Sequence, residues 1–184
     1  MSEEQMVRQC APTLAGVKTG SIFPAKFDGT TQLFEELRRL NGELRHKGVT
    51  VVPLRHRPDW ALIYVFRFSQ LKQDLRNEQA KLLLEQRGYP VHDPIQCLRF
   101  LVRRMQLNGE FPHEVGLFLG YPPEDVAGFL KNPVCGYKCV GYWKVYGDER
   151  LAKRQFQQYR ECTEKCYQQW RNGQTVAQLA VSIP

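Results

Sequence analysis

A chain of 184 residues with 42% hydrophobic side chains can bury one substantial core and falls within the ordinary range of one domain. No apolar run approaches the roughly 18 residues needed to span a bilayer, and the polar start Met1-Ser2-Glu3-Glu4-Gln5 lacks the profile of an export signal, so a cytoplasmic protein with no membrane partner is expected. The formal charge of +7 suits an acidic protein or a nucleic acid, yet basic and acidic residues alternate through most segments, so charge alone excludes little.

Taken in chain order, the first element with a clear period starts at Thr30 or Thr31. Leu33, Leu37, Leu40 and Leu44 recur at helical spacing, and His46-Lys47-Gly48 supplies cations and a glycine stop. Val49 to Leu54 and Trp60 to Phe66 are β-rich runs joined by a polar, proline-containing connection, which predicts two antiparallel strands. Ser69 is placed to cap a second helix with Leu71, Leu75, Leu82 and Leu83 inward, ending near Gly88. Asp93-Pro94 opens a third, with Ile95, Leu98, Leu101, Val102 and Met105 as its apolar stripe.

Between Phe111 and Lys131 two short apolar segments flank Gly120-Tyr121-Pro122-Pro123. This predicts a helix, turn, helix, with a strand over His113 to Leu119 as the alternative. Lys138 to Tyr146 reads as a third strand, with Tyr142, Lys144 and Tyr146 on one face and Trp143 and Val145 on the other. Asp148 starts a long helix whose inward face carries Ala152, Phe156, Tyr159, Cys166 and Trp170, and a short last helix follows Thr175. The expected class is α+β: a mostly helical single domain over residues 1–184 with a small, mainly antiparallel sheet, frayed at residues 1–8 and 181–184.

Six cysteines in a domain this large read as thiols rather than disulfide staples. If a helix begins at Pro12, Cys10 lies near its positive end, where thiolate is favoured and Lys18 can add to the effect. Paired with His113 it would give a nucleophile and a base, with Glu114 or Asp148 orienting the imidazole. The competing reading is a small buried apolar thiol and a histidine bonded to a neighbouring loop. Cys10, Cys135 and Cys139 with His113 would form a thiolate and imidazole site for zinc or iron if they met in space, and Cys162 and Cys166, one helical turn apart, would bind a soft metal if other ligands converged.

Tyr142, Trp143, Lys144 and Tyr146 interleave aromatics with cations, a mixture that stacks on bases or a flat ligand while holding phosphates. A basic face on the long helix (Arg150, Lys153, Arg154, Arg160, Lys165, Arg171) is a second anion-binding candidate, whereas Glu124 and Asp125 argue against the preceding short helix as a DNA reader. No phosphate-binding glycine loop of the dinucleotide or Walker type is present, so no cofactor is identified. Two functions follow: a thiol-centred catalytic or ligand site at Cys10 and His113, or a non-enzymatic binding module for an acidic protein or nucleic acid.

The segments Cys10-Ala11-Pro12-Thr13-Leu14-Ala15-Gly16-Val17-Lys18, His113-Glu114-Val115-Gly116-Leu117-Phe118-Leu119-Gly120-Tyr121-Pro122 and Gly141-Tyr142-Trp143-Lys144-Val145-Tyr146-Gly147 together resemble the bacterial family known as domain of unknown function 3793. The resemblance runs over nearly the whole chain and implies a small, single-domain, cytosolic bacterial protein. It carries no catalytic residues to these positions.

Overall fold

The computed structural model describes residues 1–107 and 110–182. Its contacts cluster in two units, one formed by residues 1–69 with the stretch from Tyr159 onward, the other by Gln70–Gln158.

The first unit opens with α1 (Glu3–Leu14). The Ser2 hydroxyl accepts the Gln5 amide and Glu3 and Glu4 occupy the first turn, where the helix dipole favours carboxylates. Residues 1–8, expected to fray, are therefore helical from Glu3, with Met6 and Val7 buried. Pro12 lies inside the last turn rather than opening a helix.

A strand without a legible signal follows, β1 (Gly20–Lys26). Thr30–Leu44 forms α2, with the four predicted leucines buried, and a 3-10 turn at Arg45–Lys47 ends at Gly48 in the left-handed region, φ 74°. β2 (Val49–Arg57) and β3 (Trp60–Arg67) make the predicted antiparallel hairpin. The sheet order is β1-β3-β2, so Pro24 and Pro53 both sit on edge strands, where a missing N–H is tolerated, and the register slips between Pro53 and Arg55. One core fills the space between these elements, with Phe23, Leu33, Leu40, Val51 and Ile63 at its centre.

Arg67 is the largest fully buried side chain among the described residues. Its guanidinium donates to the carbonyls of Thr13 (2.7 Å), Lys47 (2.9 Å), Val181 (2.8 Å) and Leu14. One cation thereby satisfies backbone acceptors at the end of α1, in the 3-10 turn and in the tail. The Val181 amide also donates to Leu14 (3.0 Å), so the expected frayed tail is tied down at its first residue; residues 183 and 184 lie outside the described residues.

In the second unit the single helix expected from Ser69 to Gly88 is divided. α3 (Phe68–Asp74) stops and Asn77 caps α4 (Glu78–Glu85) by accepting the amides of Gln79 and Ala80. The break shifts the inward phase, so Leu84 is buried and Leu82 is exposed. Asp93 caps α5 (Pro94–Gln106) as predicted, but its buried line runs through Cys97, Leu101 and Met105, leaving Ile95 exposed. α6 (Val115–Phe118) and α7 (Pro123–Lys131) realise the helix, turn, helix.

The predicted third strand is instead a minimal hairpin, β4 (Cys139–Val140) and β5 (Lys144–Val145), turning through Gly141-Tyr142-Trp143. α8 (Glu149–Arg171) is capped by Asp148, and α9 (Val176–Leu179) by the reciprocal bonds of Thr175 and Gln178. The class is α+β, mostly helical with a small antiparallel sheet. Among the described residues, no helix is long and apolar enough to cross a membrane.

Candidate functional site

The aromatic, glycine-rich stretch from Gly141 to Asp148 is held in the second unit by one carboxylate. Asp125, in the first turn of α7 and 3% exposed, accepts from the Trp143 indole (2.6 Å) and from the amides of Tyr146 (2.6 Å) and Gly147 (2.7 Å). The Trp143 ring then stacks on Tyr121 at 4.6 Å and meets Phe156 edge-on at 4.5 Å. Two glycines are spent on close approach: a Cβ on Gly128 would strike the Tyr146 ring, and one on Gly141 the Phe156 ring. Trp143 and Val145 are buried while Tyr142 is exposed, so the predicted alternation survives although the single strand does not. From the sequence, Asp125 counts with Glu124 against the short helix as a DNA reader; its one distinguishing signal is a carboxylate directly beside the buried Val126.

The outer side of this hairpin is unlike the rest of the unit. From Lys131 to Val140 every residue but Cys139 is exposed, including Val134, Tyr137 and Val140, and Tyr142 follows. No carboxylate occurs between Lys131 and Gly147. Lys138 Nζ donates to the Gly147 carbonyl and Lys144 Nζ to the Pro133 carbonyl (both 2.6 Å), with Lys144 Nζ also 4.7 Å from the Tyr137 ring centre. These contacts position the ammonium groups, and neither lysine forms an ion pair among the described residues, although the charge of Lys138 also acts on the Asp148 carboxylate. Tyr146 OH donates to the Asn132 carbonyl (2.6 Å), while Asn132 Oδ1 accepts the amides of Val134 and Cys135 and turns the chain into the hairpin.

The other predicted site residues are distributed as follows. Cys10 is in the C-terminal half of α1, so the helix dipole acts on it with the sign opposite to that expected when a helix was placed from Pro12. It is fully buried, and burial pushes its thiol far above the usual range, against a smaller opposing pull from Lys18. His113 belongs to the second unit, is exposed, and lies between the rings of Phe111 (5.5 Å) and Phe129 (4.9 Å). Glu114, 2% exposed, accepts from Tyr89 OH (2.9 Å) and pairs with Arg104 (3.2 Å) and Arg87 (3.8 Å). That set of donors accounts for a buried charge without a catalytic role.

Asp148 caps α8, its carboxylate accepting the Leu151 amide at 2.9 Å, and that bond holds its carboxyl below the usual range. Cys135 Sγ accepts from Asn132 Nδ2 (2.9 Å), and neither Cys135 nor Cys139 belongs to a group of three or more metal-ligating side chains among the described residues. Cys162 and Cys166 interact along α8, and the hydrogen bond between them lowers the Cys166 thiol and raises that of Cys162.

Lys18 is nearly buried, its Nζ donating to the Gly20 carbonyl, and burial lowers its pKa to about 7. The unfolded chain, with an ordinary lysine, holds this proton up to about pH 10.4. Between these values the unfolded state binds more protons, so stability rises with pH from about 7. Cys10 opposes this at higher pH, because its thiol stays protonated in the folded state while the unfolded thiol ionises above about 8.5. The rise is therefore expected in the window from pH 7 to about 8.5. Urea unfolding midpoints of the wild type and Lys18→Met across that window check it: the wild type should gain stability steadily relative to the variant as pH rises, and a constant difference would refute a buried titrating amine.

No curated protein and no solved structure matches the chain. Residues 6–180 match the family described as Protein of unknown function (DUF3793), nearly the whole chain, and the protein belongs to that family.

Proposed function

We propose that this protein is a binding module for single-stranded nucleic acid, engaged by the outer side of the β4–β5 hairpin. The observation that carries the reading is the carboxylate-free stretch from Lys131 to Gly147, in which Tyr137 and Tyr142 are exposed beside Lys138 and Lys144. Bases stack on tyrosine faces without regard to sequence, and ammonium groups held by backbone carbonyls instead of ion pairs replace the counterions of the phosphates. Cys10, sealed in the core with its thiol pushed upward, offers no comparable support for a nucleophile. Exposed Val134 and Val140 favour an acidic protein as the second reading, since aliphatic side chains add little to a phosphate contact.

Fluorescence anisotropy with labelled oligouridine decides between them. Three lysines on phosphates predict a log–log salt slope of about −2, or a roughly 20-fold loss of affinity from 50 to 200 mM salt. Lys131→Glu with Lys138→Glu should abolish binding, and Tyr142→Ala should weaken it about tenfold. Absence of binding at low ionic strength, or binding indifferent to these changes, would remove the nucleic-acid reading and leave the protein partner.

A further inference from the structure

A second surface, in the first unit, has its own chemistry. α2 and β2 border a groove of about 450 Å³ whose apolar lining includes Phe34, Leu37 and Pro53. Phe34 is 39% exposed although it is large and aromatic, and it meets His56 edge-on at 5.8 Å. Gly42 contributes no side chain, and a Cβ built on it would touch nothing within 4 Å, so the middle of the helix face is open. Arg38, on α2, and Arg45, the first residue of the 3-10 turn that continues it, flank this opening seven residues apart, about 10 Å along the helical path.

Arg38 and Arg45 are exposed and neither is ion-paired, although Glu35, three residues before Arg38 on the same helix, is exposed and also forms no ion pair among the described residues. No carboxylate lines the groove, and Glu36 and Glu43 of the same helix are both engaged by Arg39, at 2.9 and 2.7 Å. The adjoining edge of β2 is closed to strand addition at its centre. Asn41 covers both backbone groups of Val51, accepting its amide (2.9 Å) and donating to its carbonyl (2.8 Å). A partner must therefore be read through side chains, and an extended peptide loses its usual source of affinity there.

We propose that this groove docks an acidic amphipathic helix of a partner protein, one apolar side chain entering over Gly42 and two carboxylates, two turns apart, pairing with Arg38 and Arg45. Two guanidiniums at an i, i+7 spacing match a helix carrying carboxylates at the same spacing, each pair charge-assisted and forked.

The test is selection from a displayed pool of helix-constrained 14-residue peptides, acidic at positions 3 and 10, with positions 6 and 7 varied among apolar residues. Enriched peptides should bind the wild type at least tenfold tighter than Gly42→Trp, which fills an exposed opening without touching the core. They should also bind at least tenfold tighter than Arg38→Glu with Arg45→Glu. Binding unchanged by Lys131→Glu with Lys138→Glu separates this surface from the hairpin. A pool that enriches nothing on the wild type over Gly42→Trp overturns the proposal, as does displacement of the peptides by oligouridine acting through Arg38 and Arg45.

Discussion

Replacing Arg67 with methionine is expected to destabilise the first unit by about 4 kcal/mol, the largest effect of any single substitution considered for this protein. Methionine fills much of the volume, so the loss is mainly electrostatic. The carbonyls of Lys47 and Val181 lose their donor, those of Thr13 and Leu14 lose a charged donor while keeping the amides of Gly16 and Val181, and an unpaired buried acceptor costs about 1–3 kcal/mol before relaxation. Lysine should recover little, because three donors on one flexible point cannot span four carbonyls on three segments. Chemical denaturation measures the loss, and hydrogen exchange locates it: the Val181 amide, bonded to Leu14, should lose protection first. An Arg67→Met protein within about 1 kcal/mol of the wild type would show that water or backbone movement replaces the guanidinium.

Asp125→Ala is the second large effect, about 3 kcal/mol, felt in the second unit. It removes the carboxylate that accepts from the Trp143 indole and from the amides of Tyr146 and Gly147. Asp125→Asn separates the parts. Its oxygen can keep the two backbone amides, while its NH₂ group faces the indole N–H, so a smaller loss of about 2 kcal/mol is expected with Trp143 fluorescence shifted to longer wavelength. Hydrogen exchange at Tyr146 and Gly147 should rise sharply in the alanine variant and little in the asparagine one. Equal effects in both would mean that the carboxylate charge, not its hydrogen bonds, holds the hairpin.

These two residues explain why the densest sequence signal here marks architecture first. The block from Gly141 to Asp148 concentrates aromatics and glycines because a two-residue-per-strand hairpin has too few ladder bonds to persist alone. It persists through Asp125, through Trp143 stacked on Tyr121, and through backbone laid directly on Phe156. Only its outer side, with Tyr137, Lys138, Tyr142 and Lys144, is left available to a ligand.

Local chemistry alone determined α2, the β2–β3 hairpin, the start of α5 at Asp93-Pro94, the capping of α8 by Asp148 and the α+β class. Each depends on periodicity, a cap or a turn within a few residues, and such interactions are complete inside the segment that carries them. Family membership was legible for the same reason. Tertiary structure alone decided that Cys10 faces the negative end of its helix in a sealed core, that Pro24 sits on an edge strand, and that Leu84 rather than Leu82 points inward. It also decided that a buried arginine gathers three distant segments, that Asn41 closes the β2 edge, and which lysines and arginines go unpaired. Burial, desolvation and the pairing of a charge depend on groups brought from elsewhere in the chain, and no window of sequence contains them.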